Sequence, residues 1–343
     1  MITIDGSQGE GGGQIVRSSL ALSLVTGRPV TIEKVRAGRK KPGLLRQHST
    51  AVRAAAEISD ARTEGAEIGS KRFVFEPGEV KVGEYRFSVG SAGSTTLVFQ
   101  TVLPALIFAA GTSSIEIEGG THNPFAPPFD YLAKVYLPLL RKLGPIVEPG
   151  DCRPGFYPAG GGSFRMRIAG CQQLKSLELL ERGKLVRRAV RALVANLPRH
   201  IAERECKLIA RKTDWEAKCF RCEEVKGSPG PGNVVMIELE FEHVTELFIA
   251  FGEVGKKAER VANEVLQSAR KYLAAGVPVG PYLADQLLLP MGIAAHHGQP
   301  CAYRTGPLTQ HAITHIDILH RFLDIEIDVE EAGDERTVRL RRR

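Results

Sequence analysis

Apolar positions recur along this chain with two periods. Three long apolar runs, residues 15–26, 97–110 and 282–295, have the spacing of helices buried on most sides. Each is stopped by a glycine (Gly27, Gly111, Gly298), and each is followed by a strand pattern at 29–35, 114–118 or 301–304. A second helix pattern comes next in every case, at 44–59, 129–143 and 308–322. Apolar–polar alternation then predicts strands, most clearly at 325–329 and 337–340 around a turn at Gly333-Asp334. The chain therefore reads as three βαβαββ units, an α+β protein of the α/β-sandwich kind with helices packed on sheets.

The spacing of the units is uneven. Gly27 and Gly111 are 84 residues apart, whereas Gly111 and Gly298 are 187 apart, an excess of 103. That is one small domain. It is expected inside the third unit, after a strand at 163–168 that opens the unit and before the helix at Tyr282. The expected division is a large domain of residues 1–173 and 276–343, with a small domain of residues 174–275 inserted. Within the insertion the pattern predicts helices at 183–197 and 256–273 and a strand at 234–241. The loop Gly227-Ser228-Pro229-Gly230-Pro231-Gly232 separates its parts.

Two of the buried helices open on glycine-rich loops. Gly9-Glu10-Gly11-Gly12-Gly13-Gln14 precedes the first, with Arg17 one turn in; Gly90-Ser91-Ala92-Gly93-Ser94-Thr95 precedes the second. Glycines let backbone N–H groups approach a ligand closely, and a helix N-terminus leaves several of them unpaired, which favours phosphate. The net charge of +7 agrees with an anionic partner only modestly, because 39 acidic residues are mixed among 46 basic ones. Arg36, Arg39, Lys40, Lys41 and Arg46 make a sharper signal. They crowd a stretch that Gly38 and Pro42-Gly43 keep from being one solvated helix face, and arginine forks suit phosphate oxygens.

Other chemistry is excluded or left open. No apolar run reaches the roughly 20 residues that span a bilayer, and the N-terminus reads as a strand without a signal peptide, so a cytoplasmic protein without membrane contact is expected. Six scattered cysteines make no disulfide framework. Cys219 and Cys222 have metal or redox spacing, with Cys206 near, but no second such pair accompanies them. There is no Walker A sequence, no GxSxG elbow and no dinucleotide-binding GxGxxG. His311 and His315 fall on one face of the last helix pattern, where a neutral imidazole can serve as nucleophile or base. Spacing alone does not choose between them. The segment Arg153-Pro154-Gly155-Phe156-Tyr157-Pro158-Ala159-Gly160-Gly161-Gly162 is more particular than a turn requires.

From end to end these residues resemble the RNA 3′-terminal phosphate cyclases. The resemblance rests on the Asp5–Gln14 loop, on Arg36-Ala37-Gly38-Arg39 with Pro42-Gly43-Leu44-Leu45-Arg46-Gln47-His48, on Arg153 through Gly162, and on Tyr282-Leu283-Ala284-Asp285-Gln286. It implies three repeats similar to the C-terminal domain of a bacterial translation initiation factor, with a thioredoxin-like domain inserted in the third. It also implies ATP-dependent conversion of an RNA 3′-phosphate to a 2′,3′-cyclic phosphate through a histidinyl-AMP, with a divalent cation, Mg²⁺ or Mn²⁺. By that resemblance His311 is the nucleophile, with His315 the rival if the register is shifted, and Glu10 helps hold the metal. Arg17, Arg36, Arg39 and Gln47 line the phosphates and RNA end. Gln100, Pro127, Tyr282, Leu283, Ala284, Asp285 and Gln286 surround the adenosine. Two alternatives are a cyclase-like ribosome-assembly factor without a nucleophile and an enolpyruvyl transferase sharing the repeat.

Overall fold

A computed structural model describes residues 1–343. The chain begins with β1 (Ile2–Asp5), α1 (Gly13–Thr26), β2 (Val30–Glu33), α2 (Arg46–Ser59), β3 (Arg62–Glu64) and β4 (Phe73–Glu76). β1 and β2 pair in parallel, and β4 joins them antiparallel to give the order β1-β2-β4-β3. Helix α1 is buried on nearly every side because α2, α3 and α9 all pack against it. That explains an apolar run with so little amphipathic character. Gly27, at φ 66°, ends it in the left-handed conformation glycine accepts without strain.

The next sheet contains β5 (Glu84–Ser88), β6 (Thr112–Gly119), β7 (Ile146–Arg153) and β8 (Gly162–Ala169), in the order β5-β6-β8-β7. Its helices are α3 (Thr95–Phe108) and the segment α4 (Phe129–Tyr131), a π-helical turn (Leu132–Tyr136) and α5 (Leu137–Lys142). Alternation is clean in β6: Ile115 and Ile117 are fully buried, while Glu116 points outward between Arg86 and Arg165. β8 is the strand expected to open the third unit. It instead pairs antiparallel with β6 and β7, completing the second sheet. The sequence placed its alternation correctly but carried no record of its partners.

The third sheet is assembled from distant parts of the chain. β9 (Glu178–Leu179) pairs in parallel with β14 (Cys301–Thr305), which meets β16 (Glu335–Arg342) and then β15 (Ile325–Ala332). Read from β9, its order is β9-β14-β16-β15, so these three sheets share one strand order and one set of directions. Because β9 belongs here, Glu178 and Leu179 pair outside the expected insertion although the expected boundary at 174 precedes them. Helices α8 (Pro281–His296) and α9 (Gln310–Phe322) pack with this sheet and with each other.

Between β9 and α8 lie β10 (Leu185–Ala195), α6 (His200–Arg211), β11 (Phe220–Val225), β12 (Gly232–Phe241), β13 (Thr245–Phe251) and α7 (Ala258–Ala275). They form a fourth sheet, β11-β10-β12-β13, with α6 and α7 packed on it. The helix expected at 183–197 is therefore a strand. Its apolar positions fit a helical stripe, but Val190, Ala192, Val194 and Ala195 are fully buried in an interior strand hydrogen-bonded on both edges. Tertiary pairing overrides so weak a local preference.

Charged contacts tie this sheet to α4 and the π-helical turn that follows it. Arg191 pairs with Asp130 and, at 2.8 Å, with Glu223; Lys134 Nζ donates to Glu238 at 2.6 Å. Burial raises the Asp130 carboxyl, but His122, Arg191 and Lys134 outweigh it and bring it down to about 2.

A candidate nucleotide site where helix N-termini converge

The first turns of α1, α2, α3, α8 and α9 meet at one place. Gly9 and Gly13 explain the close approach. A Cβ on Gly9 would lie 2.2 Å from Thr314 Oγ1 of α9, and one on Gly13 would lie 2.2 Å from His48 Nε2 of α2. Only glycine lets the loop before α1 touch both helices. Thr314 Oγ1 accepts the Glu10 N–H at 3.0 Å and donates to the Gln310 carbonyl at 2.8 Å. On the other side, Gln47 Oε1 accepts the Ser94 N–H at 3.0 Å, joining α2 to the glycine loop that opens α3. The contacts thus bring the N-termini of several helices together, with their positive dipole ends near one another.

The two candidate histidines are in different situations. His315 is nearly buried, with Nε2 3.1 Å from Ser18 Oγ and Nδ1 3.1 Å from both the carboxylate and the carbonyl of Asp285. Both of its ring nitrogens are engaged. The His311 side chain is 51% exposed; its Nδ1 lies 3.0 Å from Gln14 Oε1, and its Nε2 faces Glu10 Oε1 at 3.5 Å. Burial pushes the His311 pKa below its ordinary value; Asp285 opposes this, while Arg17, Arg39 and His315 reinforce it. The imidazole is therefore neutral at neutral pH.

Cations surround the same point. The Arg17 guanidinium is part-buried beside Gly13, and its desolvation brings its pKa down to about 10 despite the Asp285 carboxylate nearby. It keeps its charge at neutral pH and, in contrast to Arg39, is not hydrogen-bonded to a carboxylate. A part-buried cation in that condition is a place for an anion. Arg39 pairs with Glu10, whose side chain is 13% exposed. Arg36, with φ 53°, spends its guanidinium on the Lys41 and Gly43 carbonyls at 2.6 and 3.0 Å, bracing the basic loop. His48 Nδ1 accepts the Leu45 N–H at 3.1 Å, leaving the Nε2 hydrogen towards Gly13. Burial, then Arg17 and Arg36, push the His48 pKa down to about 3, so it adds no charge.

The adenosine candidates divide into two groups. Gln100 Nε2 donates to Gln286 Oε1, bridging α3 and α8, and Tyr282 is 78% exposed at the start of α8. Thr96 Oγ1 donates to the Pro127 carbonyl at 2.6 Å. By contrast the Leu283 and Ala284 side chains are packed in the core. Whatever they offer a ligand is backbone, and the Ala284 carbonyl already accepts from Tyr303. Asp285 holds Gln14 and His315; burial raises its carboxyl, but hydrogen bonds from these partners keep it below the ordinary carboxylate value.

Residues 153–162 have a different setting. Phe156 is buried, and its ring occupies the space a side chain on Gly232 would need. Gly160 abuts Ala92 of the second glycine loop, and Gly161 abuts Pro229 of the 227–232 loop. This segment wedges the second glycine loop against the fourth sheet. The cysteines are all free, and no group of three or more His, Cys, Asp or Glu side chains is arranged to hold a metal. A divalent ion here would have Glu10 and otherwise phosphate oxygens and water, which is how Mg²⁺ is commonly bound beside a nucleotide. No helix is long and apolar enough to cross a membrane.

Reasoning from sequence motifs missed Gln14, Ser18 and Thr314 as site residues. Gln14 lay in plain view at the end of the glycine run, but its partners are 271 and 297 residues away.

Comparison with known proteins agrees with the residue-level resemblance. A family model described as RNA 3′-terminal phosphate cyclase matches residues 8–329. An RNA 3′-terminal phosphate cyclase of Koribacter versatilis (strain Ellin345) is 50% identical over 331 residues, covering 96% of this chain and 92% of that one. Among solved structures, the enolpyruvyl transferase NikO from Streptomyces tendae is 13% identical with a TM-score of 0.39. The alignment covers 99% of this chain and 48% of that one, so this chain spans about half its length. An EPSP synthase from Acinetobacter baumannii is 12% identical with a TM-score of 0.30, covering 95% of this chain and 62% of that one.

Proposed function

Since this chain belongs to the RNA 3′-terminal phosphate cyclase family and is a ligase-type enzyme, we propose that it closes RNA 3′-phosphate ends by a histidinyl-AMP route. His311 Nε2 attacks the α-phosphorus of ATP, the N–P bond forms, and pyrophosphate leaves with the electron pair of the broken P–O bond. An oxygen of the RNA 3′-phosphate then takes the adenylyl group and returns the pair to Nε2. Finally the ribose 2′-OH attacks the activated phosphate, loses its proton, and AMP departs as the 2′,3′-cyclic phosphate closes. The detour has a physical reason. A phosphate monoester has no good leaving group, and adenylylation supplies one by splitting a hard displacement into easier steps.

The observation that carries this reading is His311: half-exposed, neutral, at the start of α9, with one ring nitrogen bound back to Gln14 and the other facing Glu10 Oε1 at 3.5 Å without a close hydrogen bond. Arg17 and Arg39 would neutralise charge on the phosphates, with Arg36 shaping the basic loop, and Gln47 would hold the second glycine loop in place. Glu10 would hold a divalent cation, which when bound draws charge from the phosphates. Tyr282, Gln100, Gln286 and Pro127 would surround the adenosine. The same proposal takes the three like-ordered sheets as copies of one βαβαββ unit. The fourth sheet is then a thioredoxin-like domain inserted in the third copy.

Intact-mass analysis after incubation with ATP and Mg²⁺ tests the chemistry. Wild type should gain one AMP and His311→Ala none, while keeping its circular dichroism. An adduct that survives in His311→Ala would move the nucleophile, and no adduct in wild type would refute the covalent route.

A further inference from the structure

We propose that Gln14 is a positioning residue that sets the tautomer of His311, keeping the lone pair on Nε2. This rests on the reading of His311 as nucleophile. The two ends of the Gln14 amide are told apart by what they meet. One end lies 2.5 Å from Asp285 Oδ1, and an ionised carboxylate only accepts hydrogen bonds, so that end is the NH₂. The other end is then the carbonyl oxygen, 3.0 Å from His311 Nδ1. An amide oxygen also only accepts. Nδ1 must therefore carry the hydrogen, and a neutral imidazole has only one.

A competing pull makes this necessary. Glu10 Oε1 lies 3.5 Å from His311 Nε2 and would draw the ring proton to that nitrogen, where it would block the attack. Arg39 engages the same oxygen and weakens the pull, and Gln14 decides it. Gln14 is itself buried in the first turn of α1, between α8 and α9, so it cannot swing away to water. With the hydrogen on Nδ1, no ring proton has to move in either covalent step. The lone pair on Nε2 forms the N–P bond as pyrophosphate leaves, and the resulting imidazolium directs its charge through Gln14 towards Asp285. The pair returns to Nε2 when the RNA phosphate takes the adenylyl group.

The test compares wild type, Gln14→Leu and Gln14→Glu in two measurements. ¹⁵N NMR of histidine-labelled protein reads the tautomer directly: His311 should be protonated at Nδ1 in wild type and lose that preference in Gln14→Leu. Quenched intact-mass kinetics with ATP and Mg²⁺ should show AMP formation about 10- to 100-fold slower in Gln14→Leu at saturating ATP, the range typical of lost outer-shell partners. The ATP concentration for half-maximal rate should stay close to that of wild type. Gln14→Glu restores an acceptor but sets an anion against Nδ1. It should recover part of the rate, with the acid limb of its pH profile moved upward. An Nε2–H tautomer in wild type, an unslowed Gln14→Leu, or a Gln14→Glu profile identical to wild type would each overturn the proposal. If wild type forms no adduct on His311 yet holds the Nδ1–H tautomer, the nucleophile reading has failed and the tautomer assignment stands.

Discussion

Glu246 offers a test of how the fourth sheet supports α8. It sits on β13, 3% exposed, and accepts the N–H of Gly280, the residue that caps α8, at 2.6 Å. Burial raises its pKa from 4.5 to about 8, although the N–H bonds from Gly280 and Leu247 pull the other way. The folded protein therefore binds a proton there that the unfolded chain releases above pH 4.5. Its contribution is complete below about pH 4.5, declines as pH rises, and is gone above pH 8. At about 1.4 kcal/mol per pH unit, the full penalty of ionisation is at most about 5 kcal/mol. Glu246→Gln keeps an acceptor for the Gly280 N–H and has no proton to lose. Between pH 6 and 9 wild type should lose about 2–3 kcal/mol relative to this variant, read from urea midpoints and slopes in matched buffers. Parallel pH dependence in the two proteins would refute the reasoning, because Glu246 would then be charged or hydrated in the fold.

Further expectations concern the site. Arg39→Ala should weaken use of 3′-phosphorylated RNA and reduce the slope of log affinity against log salt by about 0.7, one phosphate contact on a single strand; an unchanged slope would place Arg39 outside the RNA path. Gly13→Ala should abolish AMP formation, since its Cβ would fall 2.2 Å from His48 Nε2, and full activity would show that α1 and α2 can separate there. Because the pKa of His311 is lowered by burial and its cationic neighbours, the acid limb of AMP formation should lie below pH 6.5; a limb above 7 would mean the carboxylates Glu10 and Asp285 prevail.

Much of this was written in the sequence because it is local. The glycine loops, the buried helices they open, and the alternation of β6, β12, β15 and β16 depend on residues a few positions apart, and their periods survive in the string. The family resemblance was legible for the same reason, since its motifs are contiguous. What the tertiary structure decided was partnership. It assigned β8 to the second sheet, made a strand of residues 185–195 by pairing both its edges, and packed the Leu283 and Ala284 side chains into the core. It also separated His311 from His315, which share a helix face in sequence but differ in burial and in the occupancy of their ring nitrogens. Hydrogen bonds between side chains 271 and 297 residues apart leave no period to read; they exist only once packing has brought α1, α8 and α9 together.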